Sequence, residues 1–376
     1  MSAPLRLGIV GAGIIAEQHA KACADLPDRF RLTALADVSE ENLRAAAAKL
    51  GIPNAFTGHR DLIACDEVDV VAVCTPPCFH EDIVIDALEA GKLVLCEKPI
   101  AHTLETTDRI IEAARRFPGR LSFVHQFRYL PEVKRTVWLR DNGQLGVPLY
   151  GRFSRYARFN RPGKAPRRGW WGAWQVAGGG AVMTQLVHEL DLMCHIFGDA
   201  VQVSAMIDTL QQSIESEDSC AAMVRFANGA MVTVLGTMNA YKSMAGFDVL
   251  GTDGSAHSPW RYESVDGERR AAGVQAAEAA CPDDEVAADS SDHTAYYRAV
   301  LHALDAGEPL PVGPDDARRA VELATAIYAS ALTGAPVSLP LDPSSPCYGG
   351  ISTDDYDGAE RPRPVPVATP QEPVLP

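Results

Sequence analysis

The sequence predicts an α/β protein whose two main parts are built differently. In the first third of the chain, short apolar runs alternate with helical patterns of about 10–15 residues, a rhythm typical of βαβ units and a doubly wound parallel sheet. After residue 126 the strand-like segments alternate polar and apolar positions, which favours a mostly antiparallel sheet. The length of 376 residues fits two domains and a remainder at about 150 residues per domain.

The first third contains five apolar strands separated by four capped helices. Val68–Cys74 is almost continuously apolar, as expected for a strand that helices cover on both faces. Ser39 can cap a helix that runs to Leu50, and Gly51 follows where a helix C-terminal glycine belongs. The predicted strands are Leu5–Val10, Arg31–Ala36, Val68–Cys74, Lys92–Cys96 and Leu121–His125. The predicted helices are Ile14–Leu26, Ser39–Leu50, His80–Ala90 and Thr103–Arg116.

The rest of the chain predicts a second sheet, two helices and a proline-rich end. Asn228-Gly229 is a hairpin signal between two of the strands. The strands expected here are Tyr150–Asn160, Val201–Asp208, Cys220–Phe226, Ala230–Met238 and Phe247–Gly251, and the helices are Ala181–Phe197 and Asp315–Leu332. Nine of the 26 prolines lie in residues 340–376, which predicts an extended arm that is flexible or lies on a neighbouring subunit. We therefore divide the chain into residues 1–125, 126–339 and 340–376.

Composition and charge exclude several classes of function. The formal net charge of −15 repels phosphate backbones and anionic lipid headgroups, so we expect neither nucleic acid nor membrane as a partner. No stretch approaches the ~18–20 apolar residues of a membrane span, and the N-terminal apolar run lacks the flanks of a secretory signal. Nine scattered cysteines fit buried thiols in a reducing compartment. These observations predict a cytoplasmic protein.

A glycine-rich turn after the first strand predicts a dinucleotide site. Gly11-x-Gly13-x-x-Ala16 follows the strand and opens a helix, so that a pyrophosphate can lie on the helix N-terminus beside Ile14 and Ile15. A plain glycine turn is the alternative interpretation, but the strand before the turn and the helix after it favour the dinucleotide site.

Asp37 ends the second strand, 24 residues after Gly13. An acidic residue at this place accepts hydrogen bonds from a ribose 2′-hydroxyl and repels the 2′-phosphate of NADP. The sequence therefore predicts NAD rather than NADP, with Arg60 as a basic residue that could compensate for a phosphate.

Two more motifs follow strands and belong to the same edge of the sheet, where ligands bind in open α/β folds. The first, Thr75-Pro76-Pro77, could also be a simple helix-entry turn. His80 begins the helix after it, and a lone histidine there is more often structural than catalytic. In the second, Glu97-Lys98, partial burial and a cofactor cation would lower the pKa of Lys98 toward a value useful for proton transfer. A surface lysine at a strand end is the alternative.

These motifs together resemble the glucose–fructose oxidoreductase/inositol dehydrogenase (Gfo/Idh/MocA) family, over about residues 5–340. The resemblance implies a Rossmann domain, a C-terminal α/β domain with a large, mostly antiparallel open sheet, and pyridine-nucleotide redox chemistry on sugars or polyols. It implies homodimers or homotetramers built through the open sheet. It also implies that Lys98 contacts the substrate hydroxyl and the nicotinamide ribose. Further cofactor contacts are expected from Thr75, Pro76, Pro77, His80 and Glu97.

The stretch from Gly178 to Asp191 resembles the second signature of that family. Thr184, His188 and Asp191 are spaced i, i+4 and i+7, so they share one helical face. His188 matches the family's catalytic histidine, whereas Thr184 stands where many members carry aspartate. Threonine cannot act as a carboxylate base, so Lys98 and His188 share the proton transfer or the chemistry is altered. Gln185 is a further candidate substrate contact. The segment from His188 to His195 departs from the HExxH pattern, and we expect no metal.

A basic and aromatic segment begins at Arg152. Seven basic residues and no acid lie between Arg152 and Trp170, and three of the five tryptophans lie at its end. Arg158, Trp170 and Trp171 are candidate sugar contacts, because indole faces stack on sugar rings and guanidinium groups bind hydroxyls. A subunit interface is an equally good interpretation of the same composition. Tyr129 is a candidate substrate contact at the domain boundary, with a core or hinge tyrosine as the alternative.

The sequence therefore predicts an NAD-dependent dehydrogenase or reductase that moves hydride between nicotinamide and a ring carbinol of a sugar, sugar derivative or cyclic polyol. Two alternatives stay open. One is an enzyme that cleaves glycosides through transient oxidation of the sugar by NAD, for which the Thr184 departure leaves room. The other is a non-catalytic sensor that holds the nucleotide.

Overall fold

The computed structural model describes residues 3–158, 170–282, 285–289, 291–345, 347–358 and 360. Six parallel strands form the first sheet in the order β3-β2-β1-β4-β5-β6, the arrangement of a dinucleotide-binding doubly wound fold. The strands are β1 Leu5–Val10, β2 Phe30–Ala36, β3 Asn54–Phe56, β4 Val70–Val73, β5 Leu93–Glu97 and β6 Leu121–Val124. The helices between them are α1 Ala16–Asp25, α2 Glu40–Leu50, α3 His59–Ala64, α4 His80–Glu89 and α5 Leu104–Arg115.

The second sheet has eight strands in the order β13-β12-β11-β7-β10-β9-β8-β14. All its neighbours pair antiparallel except β7 and β10, which are parallel. The strands are β7 Pro148–Arg158, β8 Ala200–Asp208, β9 Ser219–Phe226, β10 Met231–Thr237, β11 Asn239–Gly251, β12 Gly254–His257, β13 Arg261–Ser264 and β14 Val337–Ser338. The predicted fold class is thus confirmed.

Among the residues that the structure describes, helices cover only one face of this second sheet. The later helices are α6 Pro131–Asp141, α7 Trp174–Ala177, α8 Val187–Phe197, α9 Gly267–Ala280, α10 Thr294–Ala306 and α11 Pro314–Thr333. α8 packs on β7 and β10, α11 packs on β8, and the two helices contact each other. The side chains between them and the sheet form the second part of the hydrophobic core.

α10 returns the chain to the first sheet. It packs against α1, and the hydroxyl of Tyr296 donates to Ser122 of β6 at 2.8 Å. The backbone N–H of Phe123 donates to the carbonyl of Val312 at 3.0 Å. A stretch that comes after seven of the eight strands of the second sheet therefore helps to build the first, which apolar periodicity alone does not reveal.

The structure contains several elements that the sequence patterns did not predict. β3, β12, β13 and β14 have at most four residues, too few to show a periodic pattern. α9 is built largely from alanine and charged residues and has a weak apolar face. The first helix begins at Ala16 rather than Ile14, because the glycine turn extends further into the chain. No helix among the described residues is long and apolar enough to cross a membrane.

The described part of the C-terminal arm lies on its own chain. Leu341, Tyr348, Ile351 and Tyr356 are buried in the core. The hydroxyl of Tyr356 lies 2.9 Å from that of Thr209, and the hydroxyl of Tyr348 hydrogen-bonds to Asp108. This corrects the expectation that the segment is flexible or lies on a neighbour: large apolar side chains between its prolines and glycines anchor it. Residues 361–376 lie outside the described part.

Candidate active site

The glycine turn is shaped by two glycines with different tasks. Gly11 has a φ of +104°, and a Cβ there would lie 2.6 Å from the carbonyl oxygen of Cys74, so the fold itself requires glycine. A Cβ on Gly13 would meet no atom within 4 Å. The open space beside Gly13 lies at the N-terminal end of α1, where a pyrophosphate binds in dinucleotide folds.

Asp37 fixes this turn from the end of β2. Its carboxylate accepts hydrogen bonds from the backbone N–H of Ala12 at 2.7 Å and of Ser39 at 2.8 Å. The carboxylate is half-buried and keeps lone pairs for a ribose. Arg60 is paired with Asp86 at 2.9 Å, so it is already engaged by an acid.

Two apolar side chains are exposed beside the turn. Ile14 is 85% exposed and Val38 is 91% exposed. Val38 was not predicted as a site residue, although it directly follows Asp37. Large apolar side chains this exposed at the carboxyl edge of a sheet are suited to cover the flat base of a nucleotide.

The Thr75–Pro77 turn follows β4 on the same edge. The hydroxyl of Thr75 is buried and has no hydrogen-bond partner among the described residues. A buried polar group without a partner is costly, and a cofactor hydroxyl or amide would satisfy it. The orphaned Thr75 hydroxyl, the open face of Gly13 and the carboxylate of Asp37 all fit NAD.

His80 supports this edge from behind. Its ring is wholly buried, with Nε2 at 2.9 Å from the Thr75 carbonyl and Nδ1 at 3.1 Å from that of Pro99. Nδ1 also lies 3.4 Å from the Cys96 thiol, which can donate to it and leave the ring neutral. Because both nitrogens are engaged by the protein, the side chain is not available to a cofactor, which corrects the expectation of a direct contact. His80 instead ties the turn after β4 to the turn after β5.

Lys98 projects from the end of β5 toward the second domain. Its Nζ donates to the main-chain carbonyl of Thr184 at 3.1 Å, and its backbone N–H donates to Glu97 at 3.2 Å. Burial lowers the pKa of Lys98 to about 8, although the Glu97 carboxylate acts in the opposite direction. Glu97 itself is buried, so its side chain faces the protein interior rather than a cofactor.

The segment that carries Thr184 begins with a one-turn π-helix, residues 182–186, which continues directly into α8. Gly180 and Val182 donate their backbone N–H groups to the buried carboxylate of Glu217, at 3.0 and 2.7 Å. Burial raises the pKa of Glu217 to about 7. A Cβ on Gly180 would lie 1.7 Å from the carbonyl oxygen of Glu217, so this close approach requires glycine. π-turns of this kind often occur at functional sites.

Thr184 takes part in the site mainly through its backbone. Its hydroxyl donates to the carbonyl of Gly180 at 2.6 Å, and its own carbonyl accepts from Lys98 and from Nε2 of Gln185, each at 3.1 Å. The hydroxyl proton is therefore engaged within the helix. The role of Thr184 in placing a substrate hydroxyl remains a prediction.

His188 lies one helical turn after Thr184. Its ring stacks on Phe127 with centroids 4.0 Å apart and planes 9° apart, and Nδ1 is buried without a partner among the described residues. Burial, with the charges of Lys98 and Arg155, holds the pKa of His188 well below 6.5. His188 is thus a neutral imidazole and a weaker base than Lys98.

Arg155 and Glu189 form a buried ion pair that the sequence patterns did not reveal. Nε of Arg155 donates to both carboxylate oxygens of Glu189, at 2.8 and 2.9 Å, and the guanidinium carbon lies 4.4 Å from the Phe127 ring centroid. The pair borders a cavity of about 340 Å³ that the rings of Phe153 and Phe247 also line. Its only signal in the sequence is the alternation of β7, which turns Arg155 toward α8.

Asp191 and Arg128 are structural. Arg128 binds Asp191 through two hydrogen bonds of 2.6 and 2.9 Å and lies 3.4 Å from Asp316 of α11. The pair joins α8 to the turn after β6. Tyr129, beside it, is half-buried and packs edge-on against Tyr296. Its predicted contact with substrate remains a prediction.

The structure does not bring Arg158 to this site. Arg158 is exposed at the end of β7, and strand alternation places it on the opposite face from Arg155. Trp170 and Trp171 are half-buried and pack against each other, with ring centroids 5.3 Å apart. The basic segment between them and Arg158, residues 159–169, lies outside the described residues.

Comparison with known proteins identifies the family. Residues 5–125 match GFO_IDH_MocA, described as the oxidoreductase family with an NAD-binding Rossmann fold. Residues 141–339 match the C-terminal alpha/beta domain of the same family. Together the two matches cover most of the chain.

Several relatives are named as dehydrogenases of sugars or polyols. The chain is 26% identical to levoglucosan dehydrogenase from Pseudarthrobacter phenanthrenivorans, over 67% of this chain and 72% of that protein. It is 27% identical to myo-inositol 2-dehydrogenase from Thermotoga maritima, over 65% and 71%.

A solved structure is similar over almost the whole chain. The WlbA dehydrogenase from Bordetella pertussis, in complex with NADH and UDP-GlcNAcA, superposes with a TM-score of 0.79 at 28% identity. The match covers 90% of this chain and all of that one. The predicted family, enzyme class and NAD cofactor are thereby confirmed: the chain belongs to the GFO_IDH_MocA oxidoreductase family, with an NAD-binding Rossmann domain and the family's C-terminal α/β domain.

Proposed function

We propose that this oxidoreductase oxidises a ring carbinol of a sugar, sugar derivative or cyclic polyol with NAD, or reduces the corresponding ketone with NADH. The observation that supports this most strongly is the hydrogen bond from Nζ of Lys98 to the carbonyl of Thr184. Thr184 lies in the π-turn, one helical turn before His188. A partly buried amine and a neutral imidazole then face the same cleft from two domains, as proton transfer from an alcohol requires.

Bound NAD supplies the hydride acceptor for the carbinol carbon. The chain's own residues handle the proton and the orientation. Lys98, with its lowered pKa, takes the hydroxyl proton, because His188 is too weak a base to compete for it. His188 holds the hydroxyl in place by a hydrogen bond, with its ring fixed by stacking on Phe127.

The cavity next to the Arg155–Glu189 pair has a lining that suits a sugar ring, and it borders Phe127, the ring on which His188 stacks. Phe127, Phe153 and Phe247 supply apolar surface for the C–H faces of a ring. Arg155 supplies donors and Glu189 supplies acceptors for hydroxyl groups, and as a pair they add no net charge. The relatives named for inositol and levoglucosan support this substrate class.

We also infer a homodimer or homotetramer through the uncovered face of the second sheet, in a reducing, cytoplasmic setting. Register places several exposed apolar side chains together on this face: Tyr150, Met206, Met223, Leu235, Met244 and Leu250. Exposed apolar areas of this kind mark interaction surfaces. All nine cysteines are free thiols, which supports the reducing compartment.

The test is a panel of cyclic polyols, monosaccharides and glycosides assayed for net NADH formation from NAD. The proposal expects stoichiometric NADH with at least one polyol or sugar. An enzyme that cleaves glycosides through transient oxidation releases aglycone without net NADH, and a nucleotide sensor turns over nothing. Either of those outcomes contradicts the proposal.

A further inference from the structure

Three buried side chains meet directly beneath Lys98. His19 comes from α1, Glu97 from the end of β5, and His293 from the residue before α10. The same Oε1 oxygen of Glu97 lies 3.2 Å from Nε2 of His19 and 2.9 Å from Nε2 of His293. Both imidazoles are essentially excluded from solvent. The dehydrogenase mechanism above does not use either histidine.

The hydrogen-bond partners of His293 indicate how many protons its ring carries. Its Nδ1 lies 2.9 Å from the carbonyl oxygen of Ser291, which can only accept, so Nδ1 carries a proton. Its Nε2 faces the Glu97 carboxyl oxygen at 2.9 Å. A neutral ring would direct a lone pair at that oxygen. The contact therefore needs one more proton, on His293 or on Glu97.

His19 does not need that extra proton. Its Nδ1 lies 2.7 Å from the hydroxyl of Tyr297, which has no other hydrogen-bond partner among the described residues and so donates. The Nε2–H of His19 then donates to Glu97. Burial lowers the pKa of His19, in agreement with a neutral ring.

The hydrogen bonds around Glu97 favour the extra proton on His293 rather than on Glu97. The Glu97 carboxyl group also receives hydrogen bonds from His19 and from the backbone N–H of Lys98, and such donors favour the charged carboxylate. Burial raises the pKa of Glu97, but the hydrogen bonds from the two histidines outweigh it and hold the pKa far below its ordinary value.

We propose that His293 is a positioning residue that carries a positive charge and forms, with Glu97, a buried imidazolium–carboxylate pair that holds the Lys98 loop and sets the proton affinity of Lys98. The effect on Lys98 rests on the proposed function, whereas the charge of His293 does not. Because His293 directly precedes α10, this pair also ties the end of β5 to a late part of the chain.

The buried ionisable groups that face the pair are neutral, apart from Lys98. Next to His293, the carboxylates of Asp25 and Asp292 are charged, and both lie against Lys21 of α1. Burial raises the pKa of the nearby thiols and phenols, namely Cys74, Cys96, Tyr296 and Tyr297. Burial lowers the pKa of the nearby imidazoles, namely His80, His125 and His188. On the side of Lys98 away from the pair, Arg155 and Glu189 oppose each other.

The charge of His293 is tested directly by ¹⁵N NMR on the histidine-labelled protein saturated with NADH. His293→Gln identifies the signal by its loss. His302→Gln, which removes an exposed histidine from the helix that follows His293, is the matched control. The proposal expects one histidine with protons on both nitrogens at pH 8, absent only in His293→Gln. A neutral His293 ring overturns it, and so does a stoichiometric metal ion bound by this histidine. His19→Asn provides a second assignment if His293→Gln does not fold, because it must perturb the same signal.

The influence on Lys98 is tested by the pH profile of the oxidation. In His293→Gln the charge of Glu97 is no longer balanced, so the ammonium form of Lys98 is favoured. The rising part of the plot of oxidation rate against pH should shift toward higher pH by about one unit. This shift is a roughly tenfold loss of rate at pH values below the midpoint. His302→Gln should leave this part of the plot in place. A lower oxidation rate without a shift of its pH dependence overturns the effect on Lys98. If no substrate is turned over, the proposed function fails and the NMR result still decides the charge of His293.

Discussion

At the scale of single residues, Lys98 is the group whose properties most directly determine activity. Its amine must be neutral to accept a proton from the substrate and charged to return one. With its pKa lowered to about 8, oxidation should accelerate as the pH rises through about 8, and ketone reduction should slow over the same range. Initial rates in both directions between pH 6 and about 10 check this. An oxidation rate that does not change with pH contradicts this expectation. A rise near pH 8 that is still present in Lys98→Arg also contradicts it.

The two glycines of the dinucleotide turn predict different failures. Gly13→Val should leave the unfolding temperature of the nucleotide-free protein unchanged, because the added atoms enter open space. It should abolish the stabilisation by NADH, which amounts to ~2.7 kcal/mol at a hundredfold excess over the dissociation constant. Gly11→Ala should destabilise the protein itself, because its Cβ meets the Cys74 backbone. Thermal unfolding with and without NADH measures both effects, and a Gly13→Val variant that still responds to NADH would place the cofactor elsewhere.

At the scale of elements, the π-turn and α8 depend on Glu217. Glu217→Ala leaves the N–H groups of Gly180 and Val182 and the hydroxyl of Tyr328 without their buried acceptor. We expect a loss of roughly 3 kcal/mol in the free energy of unfolding, and a lower turnover because Thr184 and His188 follow this turn. Denaturant unfolding and rate measurements check it. The exposed Glu268→Ala is the control and should change neither quantity, whereas equal behaviour of the two variants refutes the anchoring role.

The same elements show which residues of the site could be predicted from the sequence. Lys98 and His188 were found because each belongs to a short motif whose residues are close in the chain. Arg155 and Glu189 were missed because their pairing joins a strand to a helix, and the charge pattern of neither element shows it. The π-turn has no signal of its own, since its residues would suit an ordinary helix. Arg158 was chosen for its aromatic and basic surroundings, but strand alternation places it on the other face.

At the scale of the whole molecule, the uncovered face of the second sheet predicts assembly. Met206→Glu places a charge at the most exposed apolar side chain of this face and should shift the protein toward the monomer. Leu304→Glu alters an exposed leucine on α10 and is the control. Sedimentation velocity on the three proteins measures the state. A wild-type protein that is already monomeric, or a Met206→Glu variant that assembles normally, contradicts the prediction.

The boundaries of the two domains and of the C-terminal arm were harder to predict than the fold class of each domain. Two sheets of different kinds follow from the rhythm of apolar residues, which reports local structure. The return of α10 to α1 and the burial of Tyr348 and Tyr356 depend on contacts between distant segments. The catalytic cleft lies between these parts, so the approach of Lys98 to the π-turn and the buried pair under Lys98 became visible only once the chain was folded.

The most direct test of the proposed chemistry compares NADH formation by the wild-type protein and Lys98→Met on a confirmed substrate. Loss of the proton acceptor should reduce turnover by about 10²–10⁴-fold. Because Lys98 is not part of the glycine turn, NADH should still raise the unfolding temperature of the variant. Turnover by Lys98→Met at the wild-type rate would contradict the assignment of Lys98 as the group that moves the proton.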